Sequence, residues 1–143
     1  MARNKRYSHA KDKRDGGAFF TIPSAVLNGA AYLGVSAHAR MLLFDLLAQY
    51  RGDNNGDLSA SYNSVMKPRG WKSSHTLTSA KRELIDAGLI VETRKGARPS
   101  KASLYALTWY DLDECGGKLD ISQRSYPRSA YRLKDPAPAL AKV

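Results

Sequence analysis

Basic and polar side chains are concentrated between residues 67 and 101, where nine lysines or arginines accompany only three acidic residues. Lysine and arginine bind phosphate oxygens, and arginine, serine and threonine also donate hydrogen bonds to base edges. A clustered basic excess of this kind is typical of a surface that contacts nucleic acid. The candidate DNA contacts are Lys72, His75, Thr78, Ser79, Lys81, Arg82, Arg94, Lys95, Arg98 and Lys101.

Motifs for catalysis or metal binding are absent from the sequence. It has no Walker loop, GxGxxG turn or HExxH helix, and its three histidines are dispersed. Cys115 is the only cysteine, which excludes an intramolecular disulfide and a cysteine-based zinc site. Asp53, Asn55 and Asp57 imitate the start of a calcium loop, but Ser64 stands where the loop needs glutamate. We therefore expect no enzyme activity, metal or cofactor.

An amphipathic helix over residues 74–87 is predicted to position the first six candidates. Ser73 or Ser74 can cap its N-terminus, and Gly88 can end it in the left-handed conformation. Its face opposite the apolar stripe carries His75, Thr78, Ser79, Arg82 and Asp86, while Lys72 lies at the entrance of the helix and Lys81 at the edge of the stripe. Such a face fits the major groove, although polar outer faces are common on solvated helices. The apolar stripe consists of Leu77, Ala80, Leu84, Ile85 and Gly88.

A two-stranded hairpin is predicted directly after this helix. Residues 89–91 form a short β-branched run, and residues 103–109 alternate well enough to be the partner strand. The turn between them contains Gly96 and Pro99 and carries the four candidate cations from Arg94 to Lys101. The hairpin therefore places positive charge beside the helix.

The preceding elements are predicted to form a scaffold. Phe19 or Phe20 is expected to anchor the core, and Pro23 to begin a short helix that precedes Gly34. Ser36 should cap the strongest helix of the chain, which buries its leucines and ends at Gly52. A further helix from Ser59 or Ser61 is expected to end at residues 68–70.

Trp71 follows that break and is predicted to fill the gap between the two helices. Its alternative role is stacking on a base, which is less common for a tryptophan inside a compact domain. The order of helix, break, helix, strand, basic loop and strand is that of a helix-turn-helix followed by a wing.

Residues 76–109 also resemble a known family, and they read TLTSAKRELIDAGLIVETRKGARPSKASLYALTW. This segment is similar to the second half of a winged helix-turn-helix domain from phage and plasmid replication-initiation proteins and MarR-like regulators. The resemblance extends upstream to about Phe19. It implies an α+β fold of three or four helices with a C-terminal two-stranded β-wing, and DNA binding through helix 74–87 with the wing at 94–102. The dimerisation helices of the MarR type have no clear counterpart.

Charge is distributed unevenly between the predicted domain and its ends. The chain has 143 residues and a net charge of +10, of which residues 1–18 and 116–143 each contribute +4. We predict a flexible basic arm at 1–18, a winged helix domain at 19–115 and a basic tail at 116–143. Tyr126 and Tyr131 lie among arginines in the tail, a pattern that suits either base stacking or a tail that orders on binding.

The sequence therefore predicts a protein that binds double-stranded DNA in a sequence-specific manner. It would be either a replication-initiator-like protein or a transcriptional regulator of a phage or plasmid. The alternative is a protein-interaction module that docks on a host or replication protein without reading DNA. RNA binding is less favoured, because no RNP-type strand pattern is visible. Because the sequence shows no membrane span or signal peptide, we expect a cytoplasmic protein that is associated with the nucleoid or a plasmid. We expect the protein to be a monomer or a homodimer.

Overall fold

The computed structural model describes residues 13–136, so residues 1–12 of the predicted arm and 137–143 of the predicted tail lie outside the described residues. The fold is α+β. Its three strands form one antiparallel sheet in the order β1-β3-β2. The strands are β1 (Leu58–Ser59), β2 (Ile90–Arg94) and β3 (Leu104–Leu107). The α-helices of the described residues are α1 (Ser24–Leu27), α2 (Ala30–Gly34), α3 (Ala37–Leu47) and α4 (Ser74–Asp86).

Helix α3 is the predicted scaffold helix. The Ser36 hydroxyl oxygen accepts a hydrogen bond from the Ala39 N–H, which confirms the predicted cap. Its leucines belong to the same hydrophobic core as those of α4, and the two helices pack together. Phe44 remains 44% exposed because it lies outside the buried stripe. No helix of the described residues is both long and apolar enough to cross a membrane.

The predicted helix before α4 is shorter and less regular than expected. A π-helical turn over Tyr62–Met66 continues into a 3-10 turn over Lys67–Arg69. Pro68 lies in that turn, and its missing N–H cannot support the i to i−4 bond of an α-helix. Gly70 then has a φ of 101°, which reverses the chain before α4.

Trp71 was predicted to fill the gap between this turn and α4, and it is buried, but its hydrogen bond connects it to α3. Its Nε1 donates a 2.8 Å hydrogen bond to Asp45 Oδ2 of α3. Asp45 Oδ1 accepts a second hydrogen bond from Arg69 Nε, also at 2.8 Å. The alternative role of Trp71 as a base-stacking platform is therefore wrong, since the ring has no free face.

Strand β3 is buried on both sides, which the sequence did not predict. All four residues of β3 are buried, although an alternating strand was expected. A second small core of Ala106, Leu112 and Tyr126 covers the side away from the helices. The Tyr126 hydroxyl donates to the carbonyl oxygens of Leu107 and Tyr110, at 2.7 and 2.9 Å. Continuous burial replaces alternation because the chain returns across the second face.

The segment after residue 117 is consequently part of the folded unit, and the predicted domain edge at Gly116 and Gly117 is wrong for residues 118–135. Ser129 N–H donates to Thr108 O at 2.7 Å, and Asp135 Oδ1 accepts from Ala30 N–H at 2.9 Å. A 3-10 helix over Ala130–Lys134 packs against α2 and buries Tyr131. Tyr126 and Tyr131 are core residues, so the stacking role proposed for them does not hold.

The N-terminal entry to the fold also differs from the prediction. Phe19 and Phe20 are exposed and do not anchor the core. The chain is held instead at Thr21, whose carbonyl oxygen accepts from Trp109 Nε1 at 3.1 Å and from the Tyr110 hydroxyl at 2.6 Å. Hydrogen bonds from two side chains to the Thr21 carbonyl oxygen thus replace the expected burial of Phe19 or Phe20.

Asn55 connects the loop before β1 to the end of β3. Its side chain is fully buried, and its Oδ1 accepts from Leu107 N–H at 2.8 Å. Its Nδ2 donates to Leu107 O at 3.0 Å and to Asp111 O at 2.9 Å. The side chain is fully used by the backbone, which leaves it unsuited to the calcium loop considered for residues 53–57.

Candidate nucleic-acid interface

Helix α4 is held by hydrogen bonds at its start and by apolar packing along one side. The Ser73 hydroxyl accepts from Thr76 N–H at 3.2 Å, so Ser73 is the cap. Leu77, Ala80 and Leu84 are buried, as the apolar stripe predicted. Ile85 was assigned to that stripe but is 40% exposed, because it lies at the edge of the stripe. Gly88 follows with a φ of 76°.

The outward side of α4 carries the predicted polar candidates. His75, Thr78, Ser79 and Arg82 are all exposed, and their spacing of three or four residues places them on one face. Lys72 is exposed just before the helix, whereas Lys81 is half-buried at the flank. We call these six residues the α4 polar face.

Thr78 differs from its neighbours in how its hydroxyl is used. Its Oγ1 donates a 2.9 Å hydrogen bond to the Ser74 carbonyl oxygen within the helix. Only the acceptor lone pairs and the methyl group remain for a ligand. Thr78 is thus better suited to accept a hydrogen bond, or to contact a thymine methyl, than to donate to phosphate.

Two acidic residues of α4 define where phosphate can approach. Glu83 is occupied, because its carboxylate accepts from Ser36 N–H at 3.0 Å and from the Ser36 hydroxyl at 2.6 Å. Both hydrogen bonds lower the pKa of Glu83, and the one from the hydroxyl has the larger effect. Asp86 is exposed on the same face as Arg82, one turn further on. Its charge repels phosphate at the C-terminal end, so the N-terminal turns of α4 are the favourable part.

The hairpin between β2 and β3 carries the second set of candidates. Lys95, Arg98 and Lys101 are exposed, and Ala97 and Lys101 exchange backbone hydrogen bonds at 2.8 and 2.9 Å. Gly96 N–H donates to Ser103 Oγ at 2.8 Å. This basic hairpin, residues 95–101, is therefore an ordered loop with its cations outward.

Arg94 plays a structural part in the hairpin. It is half-buried, and its guanidinium donates to the Ala102 carbonyl oxygen from Nη2 at 2.8 Å and from Nε at 3.3 Å. Its remaining donors are fewer than those of Arg98. Asp120 also lies near the base of the hairpin, where it accepts from Lys95 N–H at 3.0 Å. Phosphate contact is thus favoured at the outer end.

The α4 polar face and the basic hairpin form two separate surfaces. Within residues 13–136, no hydrogen bond or salt bridge joins a side chain of one set to a side chain of the other. Helix α4 packs on β2, the strand that leads into the hairpin. None of the candidate cations forms a salt bridge with a carboxylate of the described chain. Their charge is available to an external anion.

Other reactive groups of the described residues are used internally. Lys118 Nζ forms a 2.8 Å salt bridge with Asp57. Burial is the first cause that raises the pKa of the Cys115 thiol, which keeps it protonated and weakly nucleophilic. No group of three possible metal-ligating side chains occurs in the part of the chain described.

The sequence pattern did not indicate the structural roles of Asn55, Asp45 and the two buried tyrosines, Tyr126 and Tyr131. Asp45 gives no signal, because a polar residue inside an apolar helix is normally expected to face solvent. A signal for the tyrosines was present, because Leu119, Ile121, Tyr126 and Tyr131 place apolar side chains at short intervals along the predicted tail.

No known protein family, curated protein or solved structure matches this chain.

Proposed function

We propose that this chain is a winged helix-turn-helix protein that binds double-stranded DNA in a sequence-specific manner. The order α3, β1, helical turn, α4, β2 and β3, with the sheet order β1-β3-β2, supports this class of fold. The helical turn over residues 62–69 takes the place of the first helix of the pair. Helix α4 then takes the place of the recognition helix, and the hairpin that of the wing.

The observation that carries the proposal is the polar face of α4, exposed and rich in donors. An α-helix fits the major groove of B-DNA, and the N-terminal part of a recognition helix makes the base contacts. His75, Ser79 and Arg82 are assigned to base edges, with Thr78 as an acceptor or methyl contact. Lys72 and Lys81 flank this face and are assigned to phosphates.

The basic hairpin supplies a second, sequence-independent contribution. Arg98 and Lys101, with Lys95, project from an ordered loop and are assigned to the DNA backbone. Arg94 supports the loop through Ala102 and contributes its charge rather than a dedicated contact. Phosphate contacts of this kind fix orientation, while the helix reads sequence. The biological role that the resemblance favours is replication initiation or transcription regulation in a phage or plasmid.

Mapping the surface by NMR tests the proposal. The ¹⁵N-labelled chain is titrated with a duplex, and amide shifts are followed residue by residue. We expect the largest changes at residues 72–82 and 95–101. Changes confined to other parts of the chain, or no changes at all, would contradict the assignment of these two surfaces to DNA.

A further inference from the structure

A groove of about 380 Å³ lies along the outer edge of β2. One wall is the C-terminal end of α4, from Ile85 to Gly88, and the other is formed by Pro127, Ala130, Leu133 and Lys134. Ile90, Val91 and Glu92 of β2 line its base. We call it the β2-edge groove. It is separate from the N-terminal part of the α4 polar face and from the basic hairpin.

Two large apolar side chains on the rim of this groove are exposed. Leu133 is 84% exposed, more than any other large hydrophobic side chain in the described residues. It stands two residues after the buried Tyr131, so the 3-10 helix that buries Tyr131 holds Leu133 outward. Ile85 faces the groove from α4. Apolar surface of this kind, arranged around a groove, is typical of a site that binds another protein.

Strand β2 brings an edge of the sheet to the groove. It is an edge strand, because β3 lies on one side of it and no strand of residues 13–136 lies on the other. Asp120 N–H donates to Thr93 O at 2.8 Å, so the chain covers the edge only beyond Glu92. Ile90 is buried, so the part of β2 that is accessible in the groove is Glu92 and, in part, Val91.

The charge of the groove is opposite to that of the chain as a whole. Asp86 and Glu92 are exposed members of its lining, and neither forms a salt bridge with another described residue. Lys134 is the only cation among the residues that line it. In a chain of net charge +10, these carboxylates select a partner of positive charge.

We propose that the β2-edge groove binds an extended segment of another protein in which apolar residues alternate with lysine or arginine. The segment lies in the groove beside Glu92, and its successive side chains point alternately to opposite sides. The side chains that point into the groove are apolar and contact Ile85 and Leu133 on its two walls, and the lysines or arginines on the other side pair with the exposed carboxylates of Asp86 and Glu92. The inference does not rest on DNA binding, and either can hold without the other.

Two synthetic peptides test the proposal on the full-length chain without DNA. One alternates leucine or valine with lysine, and the other carries glutamate in place of each lysine. Binding is followed by amide shifts of the ¹⁵N-labelled protein. We expect the lysine peptide to bind at least about tenfold more tightly, with shifts at Ile90 to Glu92 and Ala130 to Leu133. The net positive charge of the protein alone would favour the glutamate peptide.

Substitutions distinguish specific binding in the groove from non-specific binding elsewhere on the protein. The double variant Asp86→Lys, Glu92→Lys should reverse the preference and bind the glutamate peptide more tightly. Leu133→Ala should weaken the lysine peptide by about threefold or more, because it removes apolar contact area. Met41→Ala is the matched control, since Met41 is another exposed apolar side chain, on α3. It should leave binding unchanged.

Several outcomes would overturn the proposal. Equal affinity for the two peptides would contradict the preference for a basic segment. Amide shifts outside the groove would contradict the assigned binding site. A dimer that forms through the groove would make a second copy of the chain the occupant. Binding only after removal of residues 137–143 would assign the groove to the chain's own C-terminal segment. In each case the DNA titration gives an independent result.

Discussion

The Glu83 carboxylate of α4 accepts a 2.6 Å hydrogen bond from the Ser36 hydroxyl at the start of α3. The same hydroxyl oxygen accepts from Ala39 N–H, so one serine caps α3 and binds α4. Ser36 N–H also donates to Glu83, at 3.0 Å. This connection fixes the rotation of α4 about its axis, and with it the direction of the α4 polar face.

Replacing Glu83 by alanine should destabilise the fold by about 1 kcal/mol at neutral pH, because two hydrogen bonds to a partly exposed charge are lost. The folded pKa of Glu83 lies below its usual value of 4.5. Its contribution is therefore present above that value and lost as the pH falls through the folded pKa. Urea unfolding of both proteins at pH 7 and pH 3 should show the difference shrinking at the lower pH.

The double variant Ser36→Ala, Glu83→Ala serves as the control for this contact. If the two side chains act through each other, the double variant should lose less stability than the sum of the single variants. Full additivity would show that Ser36 and Glu83 stabilise the protein separately.

Replacing Asn55 by alanine should be among the most damaging single changes. It leaves Leu107 N–H and Asp111 O without their side-chain partner and removes one of the two side-chain donors to Leu107 O, at roughly 3–5 kcal/mol in total. Thermal unfolding monitored by circular dichroism measures the loss. Asn63→Ala, at an exposed position, should change little. Similar melting of both variants would contradict the structural role of Asn55.

Removal of the Tyr126 hydroxyl should destabilise the fold through the second face of the sheet. Tyr126→Phe loses the hydrogen bonds to Leu107 O and Tyr110 O, at about 1–2 kcal/mol near neutral pH. Burial is the main cause that raises the pKa of Tyr126 to about 12. Because folding raises this pKa, the stabilisation is complete below pH 10 and is lost as the pH rises towards 12.

Urea unfolding between pH 8 and pH 12 therefore provides a second test at Tyr126. The stability difference between wild type and Tyr126→Phe should fall as the pH rises above 10. A constant difference over this range would mean that Tyr126 titrates in the folded protein as it does in the unfolded chain.

The two surfaces that we propose bind DNA should give different phenotypes when one arginine is removed from each. After a preferred site has been selected from random duplexes, Arg82→Ala should weaken it by about 1–3 kcal/mol and relax the sequence preference. Arg98→Ala should weaken all sequences alike and reduce the salt slope by about one unit. Fluorescence anisotropy on selected and scrambled duplexes measures both effects.

Arg51→Ala is the control for these variants, because Arg51 is exposed in the loop after α3, outside both surfaces. It should change affinity little on any duplex. Equal losses of affinity for Arg82→Ala and Arg98→Ala on all sequences would contradict the proposal that α4 contacts the bases.

Local signals in the sequence predicted α4 and the hairpin well. The Ser73 cap, the apolar spacing of Leu77, Ala80 and Leu84, and Gly88 all have the predicted roles. These features depend on neighbours within a few residues, so a sequence pattern can specify them. The candidate cations are exposed for the same reason, except Arg94 and Lys81, which are half-buried.

Long-range contacts could not be predicted in this way. Asn55 and Leu107 are 52 residues apart, and nothing in the turn sequence around Asn55 indicates its partner. Tyr126 and Tyr131 are buried because the chain returns over the sheet after two glycines. Low hydrophobicity and high charge in this segment favoured a tail. Both errors arise because tertiary burial depends on surfaces that the local pattern does not describe.

The most direct test of DNA binding is the salt dependence of affinity for a duplex of about 25 base pairs, long enough for two helical turns. We predict that the logarithm of the affinity falls steeply with the logarithm of the salt concentration. If the five cations assigned to phosphates (Lys72, Lys81, Lys95, Arg98 and Lys101) all make those contacts, the slope from them has a magnitude of about 4.5. A flat dependence with weak affinity would contradict DNA binding.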